Sequence, residues 1–332
     1  MNDYLVIGGG ISGITFAKQA AARGLNGLIL EKSRGLGGRM STRRVTLDSG
    51  EEIAFDHGAQ FFTLRNSLTK EILIEQIHRS EILQWHTEIT HADYPRSIKK
   101  SERWIAPQGM SSLVKSLAEG LPIKTESKVI GVKYNPGSEF WEVITESHEI
   151  FQTKMLVLSC PIPQALALVP ELKSVGPLSS ADYRPCVAVM LARREDFKVG
   201  KQGARWGSYR DSIEWICDNK AKGISKTPSL TVHMSEDFSR KNQELSDSDL
   251  IQKVRRMLNS LGEGEMLYEA VHRWRYSQPL SPSWEIPYFE KNGLVLVGDG
   301  FTGGRIEGAL QSAYRASLDL LPHRQKSAMI GG

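Results

Sequence analysis

The chain has 332 residues, 40% of them hydrophobic, with 42 Lys and Arg against 38 Asp and Glu. That is enough chain for two modest domains, and a net charge of +4 is too balanced for a dedicated nucleic-acid or membrane-surface protein. Cys160, Cys186 and Cys217 lie far apart without a CxxC, and the eight histidines are scattered without HExxH spacing. Neither a disulfide framework nor a metal site is expected, and a reducing, cytoplasmic setting fits best. No run of 18 apolar residues predicts a membrane span. The apolar start lacks a basic n-region and is broken by glycines, so it reads as strand and turn, not as a signal peptide.

The first elements are strand, helix, strand. A short apolar run, Tyr4 to Ile7, leads into GxGxxG at Gly8, Gly10 and Gly13; a helical pattern follows, Gly24 suits its stop, and "GLILE" reads as a second buried strand ending at Glu31. Gly8 permits a tight turn, Gly10 lets backbone approach a pyrophosphate, and Gly13 lets the helix pack close to the strand. Glu31 stands where a carboxylate would accept hydrogen bonds from an adenosine ribose. A nicotinamide-binding unit would continue with another strand and helix. Here Gly35, Gly37, Gly38 and Arg39 instead form a flexible cationic loop able to fold back over the phosphates, which turns the reading from some dinucleotide toward FAD.

Next, "TLDSGEEIAFDHGAQFF" alternates around Ser49-Gly50 and predicts a hairpin, with Gly58 leaving room beside a flat ring. Residues 66–90 read as helical, with Leu68, Ile72, Leu73 and Ile77 on one side, covering a pocket. From Leu121 the chain reads as a meander of short strands ending in "MLVLSC", a buried strand that rejoins a parallel sheet. Strands resume from "RPCVAVMLARR" through "LTVHMSEDFSR". Between Arg184 and Lys226 there are ten basic residues against five acids, an excess that mildly favours an anionic substrate, although a solvated face is the more common reason for such a run. Residues 246–261 predict an amphipathic helix capped by Ser246. "GLVLVGD" is a further buried strand ending at Gly298-Asp299. The helix after it, from "GRIEG", is expected to aim its positive end at the cofactor.

Several segments together resemble a family. "GGGISG" followed by "EKSRGLGGR" looks like the FAD signature of the amine-oxidase-type flavoproteins. "DHGAQFFT", "RWIAPQGMSSLVKSLAEGLPI", "EWICDNKAKG", "HRWRYSQP" and "VGDGFTGGRIEGALQSA" are similar, in that order, to segments of renalases, bacterial ones especially. The resemblance spans nearly the whole chain. It departs at Ser159-Cys160-Pro161, where many such flavoproteins have Ala-Thr-Gly.

The resemblance implies an α/β fold of p-hydroxybenzoate-hydroxylase/amine-oxidase type: a Rossmann-type FAD domain (1–65, 101–165 and 290–332) and a discontinuous mixed-sheet substrate domain (66–100 and 166–289). It implies non-covalent FAD held by Gly8, Gly10, Ile11, Ser12, Gly13, Glu31, Lys32, Gly38, Arg39, Gln60, Phe61, Val129, Gly298, Asp299, Arg305, Ile306, Glu307 and Ala309. The substrate pocket is expected from Gln60, Phe62, Trp215, His233, Arg273, Trp274 and Tyr276, with His233 or Arg273 on a carboxamide or phosphate. The implied activity is oxidation of 2- or 6-dihydro isomers of NAD(P), oxygen taking the electrons to give hydrogen peroxide, with no protein base needed. Rivals are an amine or polyene oxidase of the same fold and a flavin-free binding protein on this scaffold, which the intact glycine-rich face argues against. A plain NAD-dependent dehydrogenase conflicts with the glycine–arginine loop.

Overall fold

The computed structural model describes residues 1–86, 89–91, 102–199, 203–206, 212–280 and 284–322. Its first layer is an eight-stranded sheet. Leu294–Val297, Ile150–Leu158, Asn2–Ile7, Gly27–Leu30 and Ile123–Lys124 run parallel in that spatial order, with Tyr288–Lys291 antiparallel at one edge. The predicted meander, Val129–Asn135 and Phe140–Thr145, pairs antiparallel with the first half of Ile150–Leu158. The central strands are apolar on both faces because helices or irregular chain cover both sides. Tyr4, Val6, Val157, Val295 and Val297 enter one core, while Leu5, Ile7, Leu156, Leu158, Leu294 and Leu296 enter the other. In the first core the glycine-loop helix Ile11–Ala21 packs on the terminal helix Ile306–Leu320, with Ala17 and Ala20 meeting Ala309, Ala313 and Ala316.

A second sheet has the order Met266–Pro279, Tyr183–Arg193, Ser229–Met234, Ile213–Asp218, Ala204–Trp206, Thr90–His91, antiparallel except at its last pairing. The predicted helix after Ser246 forms as Asp247–Met257, its Ser246 hydroxyl accepting from the Asp249 amide at 3.1 Å. It lays Leu250 and Val254 against Val189 and Val271 of this sheet.

Two expectations move. Residues 66–90 are not one helix: they form Ser67–Ile72, Ile74–His78 and the short strand Leu83–Gln84. Leu73, Ile77 and Ile82 pack in the first core, whereas Trp85 packs on Trp215 and Thr90 pairs at the edge of the second sheet, so the segment spans both layers. Conversely, the hairpin Thr42–Thr46 and Glu52–Asp56 forms as predicted but leans on the second sheet, Ile53 and Phe55 packing with Met190 and Ala192. The part of the expected substrate domain at 92–100 lies outside the described residues.

Candidate active site

The glycine turn is built for close approach. Gly8 has φ +111°, and a Cβ at Gly13 would stand 2.3 Å from the Gly8 carbonyl oxygen and 2.6 Å from Ser159 Oγ. The Ser159 hydroxyl lies 3.0 Å from the carbonyls of both Ile7 and Gly8. This explains the departure from Ala-Thr-Gly: Ser159 clasps the turn from beneath. A Cβ at Gly10 would meet nothing within 4 Å, so that side of the turn is open. Gly10 precedes the helix without a side-chain cap, which leaves the amides of Ile11, Ser12 and Gly13 pointing out of the helix end. Glu31, 6% exposed, accepts from the Gly9 amide at 2.7 Å and from the Ser33 amide at 2.8 Å. Each carboxylate oxygen keeps a second lone pair for a sugar hydroxyl. The Ser127 amide donates to the Glu31 carbonyl, which brings the start of the strand holding Val129 beside the same corner, while Lys32 is exposed at its rim.

The cationic loop behaves differently from a free phosphate clamp. Gly37 and Gly10 form a β-bridge, and Gly37 and Gly38 both take positive φ, so the loop lies directly on the glycine turn. Arg39 then forks onto Asp299, with Nη1–Oδ2 at 2.8 Å and Nη2–Oδ1 at 2.5 Å, and also reaches the Ser277 carbonyl at 3.2 Å. This bidentate pair ties the loop to the strand end at Gly298-Asp299. Beside it Tyr276 packs edge-on to Tyr183, whose hydroxyl is pushed up to about 12 by burial and by Asp299.

The terminal helix starts like the first one. Arg305 precedes it with no side-chain cap, and the Ala309 amide is the first to donate within it, to the Arg305 carbonyl. The amides of Ile306, Glu307 and Gly308 therefore project from its positive end. The Glu307 side chain does not share that direction. Its Oε1 accepts from the Arg65 and Asn66 amides and from the Thr69 hydroxyl, fastening residues 65–69 to the helix.

Loop 57–62 forms the seam between the layers. The His57 carbonyl accepts from His233 Nε2 at 3.0 Å and from Trp274 Nε1 at 2.9 Å, and the His57 ring stacks on Trp274 at 5.2 Å and 13°. His272 lies 4.8 Å from the His57 ring and 4.1 Å from Trp274. Burial pushes all three imidazoles down, His57 to about 3 and His233 and His272 to about 4, the nearby cation Arg43 adding to the effect at His57 and His272. All three are neutral at pH 7.

Further along, Phe61, Trp85, Trp206 and Trp215 form one aromatic group with ring centroids 5.4–6.5 Å apart. Arg103 lies 5.5 Å over the Phe61 ring and Lys222 lies 5.8 Å over Trp85. Beneath, Lys222 and Asp56 make an ion pair at 2.6 Å whose two side chains are both 0% exposed. Lys222 also donates to the Gln60 carbonyl at 2.5 Å, and Asp56 Oδ1 accepts from Thr42 Oγ1 and the Met110 amide.

Of the expected pocket residues, Gln60, Trp215, His233 and Trp274 meet at this seam. Phe62 does not: it bridges to Trp104 and its ring is in the first core, while its neighbour Phe61 faces the aromatic group. Arg273 does not either. On Met266–Pro279, His272 and Trp274 face loop 57–62, so the alternate residue Arg273 points to the opposite face, bonded to Asp247 and to the carbonyls of Gln243 and Leu245. The basic excess at 184–226 is largely structural: Arg184, Arg194, Lys220 and Lys222 are in ion pairs, and Arg193 and Arg205 bond carbonyls. Missed by the sequence reading were Asp56, His57, His272 and Lys222. The first two stand in the quoted "DHGAQFFT" and Lys222 in "EWICDNKAKG", but no periodicity marks a buried lysine. Burial pushes the thiols of Cys160, Cys186 and Cys217 up to about 12, which keeps them protonated at pH 7. Among the described residues no group of His, Cys, Asp and Glu could hold a metal, and no helix is long and apolar enough to cross a membrane.

The two uncapped helix ends, the open face at Gly10 and the Glu31 carboxylate beside it fit FAD, and comparison with known proteins agrees. A model of the flavin containing amine oxidoreductases matches residues 87–321, and one of NAD(P)-binding Rossmann-like domains matches residues 6–73. The chain belongs to the flavin-containing amine oxidoreductase family and is an FAD-dependent oxidoreductase. Within that class it is renalase-like: it is 27% identical to mouse renalase over 94% of this chain and 97% of that one. Its fold is similar to those of cyclohexylamine oxidase from Brevibacterium oxydans (TM-score 0.74, 11% identity, 96% of this chain and 98% of that one) and of putrescine oxidase (TM-score 0.69, 13% identity, 96% and 98%).

Proposed function

We propose that this enzyme oxidises 2- or 6-dihydro isomers of NAD(P) to NAD(P)+, a metabolite-repair reaction with molecular oxygen as electron acceptor. The observation that carries the choice is the use made of the aromatic group. An amine oxidase needs ring faces open to a substrate ammonium. Here Arg103 lies over Phe61 and Lys222 over Trp85, so two of the four rings already have one of the protein's own cations beside a face. A flat, uncharged ring suits such walls better than a cation does.

FAD, when bound, supplies the hydride acceptor and hands two electrons to oxygen, which with two protons leaves as hydrogen peroxide. The chain's own residues hold the ring and keep protons from it. The substrate ring becomes aromatic by losing a hydride from C2 or C6, a C–H bond breaking with its electron pair, so no side chain has to remove a proton. Neutral His57, His233 and His272 match that requirement: at pH 7 they offer no acid to an enamine that protonation would destroy. Loop 57–62 is fixed from below by the Lys222–Asp56 pair and from the side by His233 and Trp274, so the groups it presents are preorganised.

The deciding experiment is anaerobic mixing of the holoenzyme with 2-dihydro-NAD, 6-dihydro-NAD and, separately, primary amines. Rapid bleaching of the flavin by a dihydro isomer and not by amines is expected. Bleaching by an amine alone would replace this reading with amine oxidation.

A further inference from the structure

Among the described residues five buried side-chain polar atoms have no hydrogen-bond partner: His57 Nδ1, Gln60 Oε1, Trp104 Nε1, Arg184 Nε and Trp215 Nε1. Two are on loop 57–62 and two belong to rings that touch it, Trp104 bridged to Phe62 and Trp215 with its ring 5.6 Å from Phe61. Native chains rarely leave such atoms unpaired, and one reason they do is that a ligand provides the partner.

Gln60 is the most constrained of them. Its Nε2 donates to the carbonyls of Asp56 and Gly58, which settles which end of the amide is which, and its own backbone carbonyl accepts from Lys222. With the donor end used, Oε1 remains a fixed acceptor on a side chain that is 6% exposed. Trp215 offers the opposite: an N–H donor without acceptor, on a ring 4% exposed and packed among Phe61, Trp85 and Trp206. Gln60 precedes Phe61, whose ring lies 5.6 Å from that of Trp215, so the acceptor and the donor belong to neighbouring parts of the seam, and together they complement an amide edge, a C=O beside an N–H.

We infer that Gln60 and Trp215 read an amide edge on a flat ring bound at this seam, Gln60 Oε1 accepting its N–H and Trp215 Nε1 donating to its C=O. This takes over the role the sequence suggested for Arg273 or His233: Arg273 is on the far face, and the His233 Nε2 proton is spent on the His57 carbonyl. Two bound molecules carry such an edge. One is the carboxamide of a nicotinamide, which rests on the substrate proposed above; the other is the pyrimidine end of the flavin, which does not.

The test uses Trp215→Phe and Gln60→Leu holoenzymes, with FAD release followed by flavin fluorescence and KM and kcat measured on 6-dihydro-NAD and on its analogue with acetyl in place of carboxamide. If the edge is the carboxamide, Trp215→Phe raises KM about ten-fold with kcat and FAD release nearly unchanged. The analogue, which keeps the C=O but has no N–H, is then bound equally poorly by wild type and by Gln60→Leu. If the edge is the flavin's, both variants release FAD about ten-fold faster and shift its visible spectrum. Because Trp215→Phe removes the pyrrole part of the indole along with the N–H, benzothienylalanine at position 215, which puts sulfur in place of the N–H and keeps the bicyclic shape, is the control that decides should either substitution disturb its surroundings. The inference is overturned if Trp215→Phe leaves both KM and FAD release within about two-fold of wild type. A wild type that ignores both dihydro isomers would sink the substrate reading by itself, and FAD release would then decide this one.

Discussion

Lys222→Met should be among the most damaging single substitutions away from the glycine turn. The methionine fills nearly the same volume but removes the charge 2.6 Å from Asp56, in a pair with no solvent exposure on either side. Asp56 would keep its neutral donors, Thr42 Oγ1 at 2.6 Å and the Met110 amide at 2.8 Å, but no cation. Removing one partner of a buried pair costs about 3–5 kcal/mol. The Gln60 carbonyl also loses its donor, at about 1–3 kcal/mol if left unpaired. Because these share one group they do not simply add, and about 4 kcal/mol, the middle of the range for the ion pair, stands for the combined loss. For 332 residues unfolding together, an entropy of about 0.7 kcal/mol/K converts this to a drop in Tm of about 6 °C. Calorimetry or near-ultraviolet circular dichroism, with FAD in equal excess for every variant, reads it directly. Adding Asp56→Asn removes the stranded carboxylate and should recover half or more of the loss. A drop under about 2 °C for Lys222→Met, or strictly additive losses in the double variant, would refute the argument that the pair is energetically coupled.

Three further outcomes are expected. Gly58→Ala places a Cβ 2.0 Å from the Arg39 carbonyl oxygen, so the loop must move; purified protein should be depleted of flavin, and full flavin content would contradict the packing. Glu31→Ala removes the ribose acceptor and the ties to the Gly9 and Ser33 amides, and FAD affinity measured by fluorescence titration should fall at least about ten-fold. Acid should unfold the enzyme early: His57, at about 3 folded against about 6.5 unfolded, leaves the unfolded chain to bind the proton first. The stability this histidine contributes is complete above about pH 6.5 and is lost as pH falls toward 3, at up to about 1.4 kcal/mol per unit. Urea midpoints for His57→Phe should therefore slope less than wild type between about pH 6.5 and 4.5, and equal slopes would count against a buried neutral imidazole.

The dinucleotide half was legible because its signals are local. Gly8, Gly10, Gly13, Glu31 and the apolar strands lie within one strand–helix–strand unit, where spacing alone sets position. The meander, the terminal strand and the helix capped by Ser246 were legible for the same reason, each carrying its own periodicity and cap. The substrate side was readable only in part, because it is assembled from strands far apart in the chain.

Arg273 and Trp274 are neighbours in sequence, and only the register against Tyr183–Arg193 and the docking of Asp247–Met257 decide that one faces away and the other faces the seam. Phe61 and Phe62 present the same ambiguity, resolved by the bridge to Trp104. Arg39 reads as a phosphate ligand until Asp299, 260 residues later, comes within hydrogen-bond distance. Lys222 reads as a surface charge until the turn that carries it closes on Asp56. The sequence by itself determined the cofactor class, because the glycine turn with its free backbone amides and the Glu31 carboxylate lie within one short stretch. The tertiary structure decided which side chains line the seam and which charges neutralise one another, because a buried contact depends on where distant strands pair, which local patterning does not encode.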